Sequence, residues 1–157
     1  MKKIAVFVDV QNIYYTCRQA YRRQFNYRKF WQQLSGQGEI VFANAYAINR
    51  GDEQQQKFQS ALKHIGFNVK LKPYIQRSDG SAKGDWDVGI TLDVIELAPQ
   101  VDIVVLLSGD GDFDMLLNKV GKDYRVHTRV YGVQSLTANS LIEAADSYCA
   151  ITDPLLL

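Results

Sequence analysis

Soft metal ligands are scarce in this sequence. Its two cysteines, Cys17 and Cys149, stand far apart and form no CxxC, and its two histidines, His64 and His127, have no Cys/His cluster near them. That argues against a zinc site and against a histidine-based catalytic triad. Two isolated thiols fit a reduced, cytoplasmic protein rather than a disulfide framework. No GxxxxGKS/T phosphate loop is present. Gly109-Asp110-Gly111 begins like a dinucleotide-binding GxG, but Asp114 stands at the third glycine position, and carboxylates there would repel a pyrophosphate. Asp110, Asp112 and Asp114 copy the first ligands of a calcium loop, yet Met115 replaces its turn glycine and Gly121 its bidentate glutamate. Long apolar runs are also missing. After Met1-Lys2-Lys3 the apolar run is Ile4 to Val8, too short for a signal peptide or a membrane span. The expectation is a protein with no membrane partner.

What is present is an ordinary globular composition, 46% hydrophobic and 22% charged over 157 residues. That length predicts one domain, 1–157, with a core over about 3–151 and a short tail, 152–157. The net charge of +1 hides a split. Residues 1–78 carry 13 Lys and Arg against 4 Asp and Glu, whereas residues 79–157 carry 5 against 13. A basic surface for a polyanion beside an acidic site for metal would produce this asymmetry, although folding can interleave the two halves.

Hydrophobic periodicity alternates strand and helix. Strands are predicted at 3–9, 39–48, 67–75, 101–108, 125–131 and 148–151. Helices are predicted at 12–24, 27–34, 52–65, 86–97, 112–121 and 135–145, with a polar loop at 76–84. This order predicts an α/β fold of three layers, a mainly parallel central sheet with helices on both faces. The apolar tail Pro154-Leu155-Leu156-Leu157 should pack on the body or on a second subunit, which leaves a homo-oligomer open.

Four aspartates stand where such a sheet would gather them. Asp9 ends the run Ile4–Val8, Asp110 and Asp112 follow the run Val101–Gly109, and Asp87 opens a helical stretch. Buried parallel strands read as continuous apolar runs, and ligands bind beyond their carboxyl ends. Carboxylates brought together there without counter-charges repel, which implies a divalent cation. Oxygen donors without soft ligands favour Mg²⁺ or Mn²⁺ and phosphoryl chemistry. Asp112 also suits a helix N-cap and Asp110 a turn. Asp9 is harder to explain that way, because a charge closing a buried strand must be solvated, paired or metal-bound.

The motifs then resemble a family. Val8-Asp9-Val10-Gln11-Asn12 is similar to the strand-end DxxN motif of NYN domains, in the LabA-like branch of the PIN-like nuclease fold. Lys83-Gly84-Asp85-Trp86-Asp87-Val88, with Asp93 six residues after Asp87, resembles that branch's middle motif. Ser108-Gly109-Asp110-Gly111-Asp112-Phe113 resembles its SGDxDF signature. The resemblance implies a Rossmann-like sheet and a metal-dependent ribonuclease acting on RNA. It implies Asp9, Asp87, Asp110 and Asp112 as catalytic metal-binding carboxylates, with Asn12 and Ser108 as supporting hydrogen-bonders. Two departures stand out. Val10 occupies a position where this branch often has glycine, and the middle motif is ambiguous by a residue, so Asp85 can substitute for Asp87. Asp87 and Asp93 lie roughly 240° apart around a helix. Asp87 is therefore favoured, with Asp85, Asp93 and Asp114 as secondary candidates.

The resulting expectation is a cytoplasmic Mg²⁺- or Mn²⁺-dependent endoribonuclease. Arg77 and Lys83 flank the polar loop before Asp87 and are best placed to contact phosphate, with Arg18, Arg22 and Arg50 as further contacts. Tyr14, Tyr15 and Trp86 are candidates to stack on bases. Two alternatives remain: a non-catalytic RNA-binding module with the same fold, or another metal-dependent phosphotransferase or phosphatase. A haloacid-dehalogenase-type phosphatase would want Asp where Gln11 stands, and a Toprim-like site would want Glu in place of Asp9.

Overall fold

The structure, a computed structural model, describes residues 1–73, 75–76, 82–83 and 85–157. Strand β1 spans Lys3–Asp9, and helices α1 (Val10–Tyr21) and α2 (Tyr27–Ser35) follow it. Then come β2 (Glu39–Asn49), α3 (Glu53–Ile65), β3 (Asn68–Pro73), and the two-residue strands β4 (Ile75–Gln76) and β5 (Ala82–Lys83). The second half runs α4 (Asp87–Leu97), β6 (Ile103–Leu107), α5 (Asp114–Tyr124), β7 (His127–Gly132), α6 (Asn139–Ala144) and β8 (Ser147–Ala150).

Six strands form one sheet in the order β3-β2-β1-β6-β7-β8, every neighbouring pair parallel. Numbered within the sheet, that is the doubly wound order 3-2-1-4-5-6. The order reverses between β1 and β6, so the crevice beyond their carboxyl ends is where such a sheet binds ligands.

The central strands are buried on both faces, which is why they read as unbroken apolar runs. Ile4, Val6 and Val8 pack with Ile13 and Cys17 of α1, Phe30 and Leu34 of α2 and Leu62 of α3. Ala5 and Phe7 point the other way, toward Ile90 and Val94 of α4, Leu117 of α5 and Leu141 of α6. Each fully buried aliphatic or phenyl side chain here contributes roughly 1.5–3 kcal/mol. These two clusters hold β1 rigidly, and with it the position of Asp9.

Several boundaries differ from the periodicity. Helix α1 begins at Val10, not Asn12, because Asp9 itself is the N-cap. It ends at Tyr21, where Arg22 turns into the left-handed region at φ 55°. The helix expected from Asp112 starts as a 3-10 turn, Gly111–Phe113, before α5 takes over. The strand expected over 67–75 ends at Pro73, and β4, which starts at Ile75, pairs antiparallel with β5 inside the expected loop 76–84. The tail packs on its own body: Leu155 and Leu156 are buried, and Leu156 bridges to Phe25. Only Leu157 of the three leucines stays open to solvent.

Candidate metal centre at the switch point

A chain of hydrogen bonds ties the end of β1 to the end of β6. The Asp9 carboxylate accepts from the Asn12 backbone N–H at 3.5 Å and from the Ser108 hydroxyl at 3.2 Å. Asn12 in turn accepts the Gly109 N–H on its Oδ1 at 2.8 Å. Ser108 Oγ accepts the Asp110 N–H at 3.1 Å, and Asp110 Oδ1 accepts the Asp112 N–H at 2.9 Å. Asn12 and Ser108 thus lie in one hydrogen-bonded chain with Asp9 and Asp110. The glycines between them are steric necessities. A Cβ on Gly109 would lie 2.5 Å from the Leu136 carbonyl oxygen, and one on Gly111 would lie 2.9 Å from the Ala138 Cβ.

Asp87 reaches the same crevice from the first position of α4. Its N–H donates to Asp85 Oδ1 at 3.1 Å. The helix start is anchored by Trp86, whose indole N–H donates to the Ala47 carbonyl at 2.9 Å. The Trp86 ring packs on Tyr46 at 5.3 Å, with Lys72 Nζ 4.5 Å above it. A Cβ on Gly89 would collide with that ring at 2.6 Å. Trp86 is thus engaged as an anchor for α4.

The crevice brings Asp87, Asp110 and Asp112 together. Each offers a carboxylate oxygen, and the three atoms lie within 4.8 Å of one another. Asp9 is not one of this trio; its carboxylate accepts from Asn12 and Ser108, and it feels the same field. Burial, followed by the charges of Asp110 and Asp85, pushes the Asp9 carboxyl up to about 6 despite those two hydrogen bonds. The Asp87 carboxyl is pushed up to about 7, first by burial and then by the charge of Asp110. Asp85, a hydrogen bond given to Asp110 and the charge of Asp9 add to this. Among the described residues, the ion pairs of lysine and arginine go to Asp93, Asp123 and Asp153, and none goes to these four aspartates. Converging oxygen donors without a counter-charge are the donor set a hard divalent cation takes.

The secondary candidates part company. Asp85 lies beside the site and adds to its negative field. Asp93 is spent elsewhere: its Oδ2 accepts the Tyr46 hydroxyl and Lys70 Nζ, each at 2.7 Å. Asp114 starts α5 and hydrogen-bonds the N–H of Met115 next to it. Among the basic candidates, Arg18 and Arg50 donate to the phenols of Tyr14 and Tyr15, each at 3.3 Å. Arg22 is exposed at the end of α1. Arg77 and the side chain of Lys83 lie outside the described residues. Periodicity missed one feature, a cavity between α1 and α3 to which Gln11, Gln54 and Gln55 contribute. The available signal was a run of polar residues, Gln54-Gln55-Gln56, at the start of a helix whose apolar face was already accounted for.

A doubly wound sheet with clustered aspartates at its switch point defines the class of PIN-like α/β domains. The chain belongs to the NYN domain family, whose profile matches residues 3–152. The low amplitude and bright protein LabA of Synechococcus elongatus is 28% identical over 159 residues, covering 96% of this chain and 84% of LabA. A Vibrio parahaemolyticus protein of unknown function, solved by crystallography, superposes with a TM-score of 0.94 at 56% identity. That match covers 99% of this chain and 96% of the other. Among the described residues no helix is long and apolar enough to cross a membrane.

Proposed function

We propose that this protein is an endoribonuclease that hydrolyses RNA phosphodiesters with Mg²⁺ or Mn²⁺ held by its aspartates. The observation that carries the proposal is the convergence of Asp87, Asp110 and Asp112 within 4.8 Å at the switch point. No lysine or arginine pairs with them among the described residues. Asp87, Asp110 and Asp112 would hold the ion directly. Asp9 adds negative charge behind them and keeps the β6 loop in place through Ser108. When bound, such an ion polarises the phosphodiester and lowers the pKa of a coordinated water. Asn12 fixes the Gly109 backbone, and Ser108 fixes the Asp110 backbone, so the donor set is arranged before substrate arrives. Trp86 holds α4 so that Asp87 faces the other two. Free thiols at Cys17 and Cys149 support a cytoplasmic setting.

The test is a cleavage assay with labelled single-stranded RNA and DNA in Mg²⁺, Mn²⁺ or EDTA. The proposal expects internal cuts in RNA with either metal and none in EDTA. RNA that is bound but never cut would leave a binding module instead.

A further inference from the structure

A cavity of about 290 Å³ lies between the start of α1 and the start of α3. Its floor includes Ala47 and Ile48 of β2 and Phe58 of α3, and its wall carries Tyr14 and Tyr15. Val10 and Gln11, which follow Asp9 directly in the chain, also line it. The cavity therefore opens on the same carboxyl edge of the sheet as the aspartates, across the N-terminus of α1.

Its chemistry is unlike that of the acidic crevice. Tyr14 and Tyr15 are 45% and 47% exposed. They meet edge to face at 5.5 Å and 76°. Each phenol accepts a hydrogen bond from a guanidinium, Tyr14 from Arg18 and Tyr15 from Arg50. The rings are thus tethered by positive charge at their tips. Gln11 also hydrogen-bonds Tyr15, and together with Arg50 it lowers the phenol's pKa. Asp52, the one carboxylate among the described lining residues, is committed to capping α3 through the Gln55 N–H at 2.7 Å. Gln55 is likewise committed, to the Ile48 carbonyl and the Arg50 N–H. Gln54 makes no side-chain hydrogen bond among the described residues.

Apolar floor, fixed aromatic faces, guanidiniums at the rim and an available amide are the complement of a nucleotide. Bases stack on aromatic rings, guanidiniums take phosphate, and glutamine reads base edges. We propose that the cavity between α1 and α3 is a nucleoside subsite that seats one base of single-stranded RNA on Tyr14 and Tyr15, with Arg18 and Arg50 on its phosphate. The role as the neighbour of the scissile phosphate rests on the nuclease reading; the binding itself does not.

Fluorescence anisotropy of a labelled ten-nucleotide RNA in EDTA tests this without cleavage. Tyr15→Ala and Arg50→Ala should each weaken binding by about tenfold or more, and Tyr15→Phe, which keeps the ring, should bind close to wild type. Melting curves of each variant confirm that it is folded. Wild-type affinity in both Tyr15→Ala and Arg50→Ala would overturn the subsite, as would the absence of RNA binding by wild type. If RNA is cut in metal while Tyr15→Ala changes neither affinity nor KM, the subsite falls and the nuclease stands. If Tyr15→Ala loses RNA that wild type binds but never cuts, the nuclease falls and the subsite stands.

Discussion

The Asp9 carboxylate and the Ser108 hydroxyl, 99 residues apart in sequence, meet at 3.2 Å across the point where the sheet reverses its order. Ser108 is fully buried, and its oxygen also accepts the Asp110 N–H. One hydroxyl thus couples the end of β1 to the loop that carries two of the clustered carboxylates.

Ser108→Ala removes both bonds at once. It strips a donor from a buried carboxylate whose pKa is already raised and leaves a backbone N–H without its acceptor. We expect a loss of stability of about 1–3 kcal/mol, the cost of unsatisfied buried polar groups. Cleavage should fall further than stability explains, because Asp110 loses its tether. Thermal melts alongside single-turnover cleavage at saturating Mn²⁺ separate the two effects.

Asp110→Asn should abolish cleavage yet raise the metal-free melting temperature. The amide oxygen can still accept the Asp112 N–H that Asp110 Oδ1 accepts now, so the turn survives. What disappears is a charge that repels Asp87 and Asp9. Relief of about 1 kcal/mol would raise the melting temperature of a domain this size by roughly 2–5 °C. Added Mg²⁺ should then stabilise wild type more than the mutant, because only wild type has the full donor set. A large destabilisation in EDTA would mark Asp110 as a turn residue and nothing more.

The acidic site also sets a pH dependence. In the metal-free fold Asp87 titrates near 7 and Asp9 near 6, both above the 3.8 of a free aspartate. Between 3.8 and these values the folded state holds more protons than the unfolded one, so their contribution to stability is full at low pH and is lost as pH rises toward 7. Denaturant titrations in EDTA at pH 5 and pH 8 should show this decline in wild type and a weaker one in Asp87→Asn. Saturating Mg²⁺ should flatten the wild-type decline, because the ion supplies the missing positive charge. Identical pH slopes for the two proteins would contradict the assignment.

Much of this was legible in the chain. The runs at Ile4–Val8 and Val101–Leu107 announce buried central strands because both of their faces are covered, and their trailing aspartates mark the carboxyl edge. Side-chain commitments were not legible. Asp93 sits in the middle motif, yet Lys70 and Tyr46, brought close by β2 and β3, claim its carboxylate. Trp86 looks like an exposed base-stacking residue until Ala47 supplies the acceptor for its indole. Asp9 reads as a ligand closing a strand, but nothing in the chain shows that its carboxylate meets the Ser108 hydroxyl, 99 residues away. In each case the partner lies far away in sequence, where periodicity carries no information. The cavity between α1 and α3 was hidden for the same reason.

The most direct test follows the rate of internal RNA cleavage and the melting temperature across one Mn²⁺ titration. The account predicts no cleavage in EDTA, a rate that saturates, and half-saturation at the Mn²⁺ concentration that gives half of the thermal stabilisation. Asp110→Asn should show neither response. Undiminished cleavage in EDTA, or cleavage that saturates while the melting temperature ignores Mn²⁺, would contradict a metal held by Asp87, Asp110 and Asp112.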